Sequence, residues 1–140
     1  MILLDTNVIS EQMSARPSQE VAAWFKGHAN QRLLLSSVTE VELRRGVAIM
    51  PEGKLKVAKS ALLADILKIK FTNDVPPFDS SAAAHYAEIF AHRKSIGRPI
   101  SVFDIMIAAI TRANGCKLAT RNVADFEHCG LEVINPWDHR

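Results

Sequence analysis

Asp5, Glu42, Asp104 and Asp125 are scattered along a 140-residue chain, yet each stands where one local pattern gives way to another. In MILLDTNVIS, three aliphatic residues run into Asp5, with Thr6 and Asn7 behind it. A carboxylate is costly to bury without partners, so a strand that ends on one needs a reason. Glu42 lies in SVTEVELRRGV, Asp104 opens the apolar run DIMIAAI, and Asn122 and Asp125 fall in TRNVADF. Acids gathered in one place repel and raise one another's pKa. Two arrangements relieve this: arginine partners, or a hard divalent cation. Mg²⁺ and Mn²⁺ prefer oxygen ligands and take a few carboxylates plus water.

Each acid also has a purely local use. Asp5 can cap the turn that follows it. Glu42 can pair with Arg45 three residues on. Its neighbour Glu40 fits a structural role better, as capping-box partner of Ser37 and i,i+4 partner of Arg44. Asp104 stands three residues after Ser101, close to a capping-box pattern, and the helix dipole favours a carboxylate there. An acid at the mouth of so apolar a helix should nevertheless face a polar cavity. Asn122 and Asp125 can start the short helix VADFEH. The five histidines show no HExxH spacing, and Cys116 and Cys129 form no CxxC pair. They read as reduced, buried thiols. No GxxxxGK[ST] phosphate loop occurs.

The elements that must position these groups follow from the hydrophobic pattern. Ile2–Leu4 and Leu33–Ser36 read as strands buried on both faces, and KLAT and LEVI as a third and fourth. Ser18 is the expected N-cap of a helix burying Val21, Ala22, Trp24 and Phe25. A long amphipathic helix should bury Leu55, Ala58, Leu62, Ile66 and Ile69. Asp79 or Ser80 should cap the next helix, and DIMIAAI lies in a central one stopped by Gly115. Apolar strands alternating with helices predict a parallel α/β sheet covered on both faces. Loops leaving the C-terminal ends of such strands share one edge, where ligands bind. That edge should collect Asp5, Glu42, Asp104, Asn122 and Asp125.

Composition narrows the class. The apolar fraction of 48% supports a full core, and residues 1–140 read as a single domain. A net charge of +2 does not announce a nucleic-acid binder. Lys54, Lys56, Lys59, Lys68 and Lys70 form a basic helix face that reads as solvated, with guidance of RNA as the functional reading. No apolar stretch reaches membrane-span length, and Asp5 breaks the N-terminal run too early for a signal peptide. A cytoplasmic location is the expectation.

MILLDTNVIS, SSVTEVELRRGV, DIMIAAI and LATRNVADF...VINPW together resemble the successive motifs of PIN-domain ribonucleases, most of all the toxins of VapBC pairs, including the related FitB type. The resemblance implies a three-layer α/β/α sandwich around a small, mostly parallel sheet of four or five strands. It also implies an Mg²⁺- or Mn²⁺-dependent endoribonuclease. Asp5, Glu42 and Asp104 match the family's acidic metal-binding positions, and Thr6 a small polar residue beside the first acid. At the fourth acidic position this chain has Asn122, leaving Asp125 or a water to fill the gap. Asn7 is expected to orient Asp5, and Arg121 to contact phosphate or remain solvated. The implied partners are RNA, a second copy of the chain, and a cognate VapB-type antitoxin that blocks the acidic site. Two other classes stand beside this one: a PIN-like module that binds RNA or protein without cutting, and a haloacid-dehalogenase-like phosphatase. The phosphatase's second Asp would fall at Asn7.

Overall fold

A computed structural model describes residues 1–139; Arg140, the last residue of the expected 1–140 domain, lies outside them. Four short strands, β1 (Ile2–Leu4), β2 (Leu33–Leu35), β3 (Lys117–Ala119) and β4 (Val133–Ile134), form one sheet in the order β2-β1-β3-β4. All three pairings are parallel. Six α-helices surround it: α1 (Thr6–Gln12), α2 (Gln19–Gly27), α3 (Ser37–Ala48), α4 (Lys54–Asp65), α5 (Ser80–Ser95) and α6 (Val102–Ala113).

Apart from Lys117, exposed at the start of β3, the strands are apolar at every position because the sheet has two buried faces. Leu3, Leu34 and Leu118 point into a core built with α5 and α6, where Ile89, Ile105, Ile107 and Phe126 pack. Ile2, Leu4, Leu35 and Ala119 point the opposite way, into a core with Val8, Ile9, Trp24, Leu63 and Ile66. Alternation across a strand thus divides one apolar run between two cores. The result is the expected three-layer sandwich, with four strands.

Side chains cap the helices at the sheet's C-terminal edge. Asp5 caps α1, Ser36 caps α3 and Ser101 caps α6, each accepting a backbone N–H. The α3 cap corrects the expected Ser37–Glu40 box: Ser36 Oγ takes Thr39 N, and Ser37 Oγ accepts from Phe78 N instead. Glu40 keeps its Arg44 partner at 3.3 Å. Helix α1 begins at Thr6, directly after its cap, and β2 ends at Leu35, one residue before the expected Ser36, because Ser36 turns to cap. Ser18 and Asp79 cap α2 and α5 as anticipated. Gly115 ends α6 at a positive φ of 64°.

Two inward assignments fail. Ala22 is exposed on α2. On α4 and the turn after it the expected stripe points outward except at Ile66, which is buried: Leu55, Leu62 and Ile69 are 64%, 39% and 74% exposed. The face turned to the body carries Lys56, Lys59, Leu63 and Ile66. Lys59 Nζ donates to the Met13 carbonyl at 2.8 Å, and Lys56 Nζ to the Ala48 carbonyl at 3.2 Å. Long alkyl stems let both lysines lie against apolar surface while their heads reach uncapped carbonyls. Past Asp65 the helix widens into a π turn at Ile66–Lys70, which carries the register away from simple helical spacing.

Candidate active site

Parallel register assembles the centre of the site. Because Leu4 pairs with Ala119, the next residues, Asp5 and Thr120, emerge side by side at the sheet's C-terminal edge. Thr120 Oγ1 donates to Asp5 Oδ2 at 2.7 Å, Asn7 Nδ2 donates to the same oxygen at 3.1 Å, and Thr6 N donates to Asp5 Oδ1 at 2.8 Å. Thr120 also accepts from Asn7 Nδ2 and from Asn122 N. That uses the one donor and two lone pairs a hydroxyl offers. Asn7 closes the loop by accepting Arg121 N at 3.2 Å.

Glu42 is tied to the same edge through Thr6, whose hydroxyl donates to Glu42 Oε1 at 2.7 Å and lies 3.1 Å from Thr39 Oγ1. Asp104 sits in the first turn of α6, its backbone N–H taken by Ser101 Oγ at 3.2 Å. The two acids line one cleft of about 500 Å³ together with Asp5, Thr6, Asn7, Arg121 and Asn122. Ser10, Glu11 and Trp137 complete its wall. Asp125, in a 3₁₀ turn at Val123–Phe126, is exposed and does not line the cleft, although its charge reaches Asp104.

The electrostatics are those of an uncompensated anionic pocket. Burial pushes the Asp5 carboxyl up to about 6; hydrogen bonds from Thr120 and Thr6 oppose this, and the charges of Asp104 and Glu42 add to it. Burial also raises Asp104, with Asp125 and Glu42 contributing and the Ser101 hydrogen bond opposing. Among the described residues, none of the ion pairs involves Asp5, Glu42, Asp104 or Asp125. The arginine solution to acid crowding is therefore not the one present. Among the described residues, no group of three or more His, Cys, Asp or Glu side chains is placed to hold a metal ion by itself. The donor set still suits Mg²⁺ or Mn²⁺, which keeps several waters and needs only one or two carboxylates.

Comparison with known proteins now bears on what this edge does. The model of the PIN domain matches residues 2–129. This chain belongs to the PIN-domain family. The PIN domain here is similar to the VapC ribonuclease Y4jK of Sinorhizobium fredii, 42% identical with 99% of each chain covered. It is also similar to toxin FitB of Neisseria gonorrhoeae, 38% identical over 98% of this chain and 99% of that one. Among solved structures, one of FitAB bound to a DNA fragment superposes with a TM-score of 0.93 at 36% identity, covering 100% of this chain and 98% of the other. Family membership leaves the phosphatase reading without support.

Of the residues singled out from sequence, the PIN domain brings Asp5, Thr6, Asn7, Glu42, Asp104, Arg121 and Asn122 to one cleft and leaves Asp125 outside its lining. Sequence reasoning missed Thr120 and Trp137. Thr120 carried no signal of its own, because only the register of β3 beside β1 seats it against Asp5. Trp137 carried no local signal, because a 3₁₀ turn at Pro136–Asp138 brings it back to the edge.

Proposed function

We propose that this chain is the ribonuclease toxin of a toxin–antitoxin pair, and that it hydrolyses RNA phosphodiesters with the help of Mg²⁺ or Mn²⁺. The observation that carries the reading is the unpaired cluster of Asp5, Glu42 and Asp104 in one open cleft of a PIN domain. The scissile phosphodiester is an anion, so the bare cleft repels it. Asp5 and Asp104 would hold the cation, with Glu42 joining directly or through water. Bound there, the cation would reverse the local field, grip a phosphate oxygen and acidify a water.

The chain's own residues do the positioning. Three donors fix both oxygens of Asp5, so its carboxylate would be presented to a cation in one orientation. Thr6 holds one oxygen of Glu42 and leaves the other for a water proton. Asn122 takes the fourth acidic position with a neutral amide, so one negative charge fewer faces the phosphate. The likeness to toxin FitB and to FitAB supports an antitoxin partner for this chain, and a homodimer is part of the same proposal.

The test is cleavage of RNA by purified protein. Activity should disappear in EDTA, return with Mn²⁺ or Mg²⁺, and be absent from Asp104→Asn. Expressed without a partner protein, the native chain should arrest growth and Asp104→Asn should not. Turnover that persists in EDTA, or equal growth of both strains, would defeat the reading.

A further inference from the structure

Arg121 poses a problem that the acid cluster does not explain. It shares the cleft with Asp5, Glu42 and Asp104, where an unrestrained guanidinium would pair with carboxylates and neutralise the pocket. It does not: among the described residues Arg121 takes part in no ion pair. Its guanidinium carbon instead lies 5.1 Å from the centre of the Trp137 ring, within cation–π range. The ring is itself fixed. Trp137 N donates to Asn135 Oδ1 at 3.0 Å, the preceding Pro136 is buried, and the indole packs against the core beneath the sheet. The Arg121 backbone is pinned through Asn7. Arg121 is thus the exposed cation of an otherwise anionic cleft, held at its wall by an aromatic face.

We propose that Trp137 is a positioning residue that keeps Arg121 off the acids and free to grip single-stranded RNA beside the scissile bond. This inference rests on the ribonuclease reading above. A planar guanidinium supplies forked donors to a phosphate and a flat surface for an unstacked base. Either contact draws RNA toward a cleft whose carboxylates repel it. The contact lies outside the bond-breaking centre, so it governs capture of the strand rather than the chemical step.

The experiment is steady-state cleavage of a fluorogenic single-stranded RNA with Mn²⁺ by the full chain, at several KCl concentrations, with the unfolding midpoint recorded for every variant. Arg121→Ala should raise KM about tenfold, the equivalent of one charge-assisted contact, with kcat within about twofold. Its log(kcat/KM) should lose about 0.7 from the slope against log salt, as expected for one phosphate contact on a single strand. Trp137→Phe should stay near native, because an aromatic face remains. Trp137→Leu should raise KM like Arg121→Ala, and the double variant should be no worse than either single one, because one residue acts through the other. Trp137→Leu should also need more Mn²⁺ to saturate, read from the free-ion electron paramagnetic resonance signal, as Arg121 collapses onto the acids.

Additive losses in the double variant would overturn the proposal. So would a fall in kcat at constant KM, or an Arg121→Ala enzyme indistinguishable from native. If native protein fails to cut RNA under any metal condition, the ribonuclease reading fails and this inference falls with it. If native protein cuts and Arg121→Ala matches it, only the inference fails.

Discussion

Asp5 answers two opposing demands. Its burial makes the charged form costly, while its three donors and its place in the cleft require that form. In the unfolded chain the carboxyl has its ordinary value of 3.8, and in the folded protein about 6. Between those values the folded state holds a proton that the unfolded state releases. Metal-free stability from this group therefore falls as pH rises through that window, by on the order of 3 kcal/mol once complete. Asp5→Asn removes the cost. Measured in EDTA, its unfolding midpoint should match native near pH 4, exceed it increasingly toward pH 6, and hold that lead above, while cleavage with Mn²⁺ disappears. A midpoint difference that does not change with pH would contradict this account. Thr120 sits on the other side of the same balance. Thr120→Val removes the 2.7 Å donor, so Asp5 should become harder to ionise and cleavage should fall about 10–100-fold. Thr120→Ser keeps the hydroxyl and should keep most of the rate in the same assay.

Among the elements, strands and caps were the legible parts, and α4 was the part that misled. ILL and LLL could be assigned because strands buried on both faces have no polar alternation to confuse, and KLA because only its first residue, Lys117, is exposed. Ser18, Asp79 and Ser101 are short polar side chains ahead of apolar runs, and each accepts the N–H that its position predicts. On α4 the rule that lysines face water selected the wrong face. Lys56 and Lys59 are spent on the carbonyls of Ala48 and Met13, so the buried face includes two cations and the exposed one several aliphatics. The solvated-face reading is wrong for these two residues, and so is a track of five free lysines for RNA. Lys59→Met keeps the alkyl stem and removes the ammonium. Chemical denaturation should show a loss of about 1 kcal/mol with kcat/KM on RNA unchanged. An unchanged midpoint with weakened, less salt-sensitive cleavage would return Lys59 to the substrate side.

At the scale of the whole molecule, the site was legible as a set of acids but not as a hydrogen-bonded network. Parallel topology alone implied that Asp5, Glu42 and Asp104 share an edge. What pattern reading does not supply is register between distant strands, and register is what seats Thr120 against Asp5 across 115 positions. The 3₁₀ turn at Val123–Phe126 then separates Asn122, which lines the cleft, from Asp125, which does not. Trp137 required knowledge of how the last turn folds back. A chain ending at Gly115 retains Asp5, Glu42 and Asp104 but lacks β3, the neighbour of β1 on the side away from β2. Expressed without a partner protein, it should leave growth unaffected, whereas arrest at the native level would show that the three acids suffice without β3.

The pairing of Leu4 with Ala119 also bears on the chain's birth. Asp5 is made 115 positions ahead of Thr120, so its carboxylate waits for the later residue before it is seated. Until that pairing forms, a nascent chain carries its acids without the donor that orients the first of them.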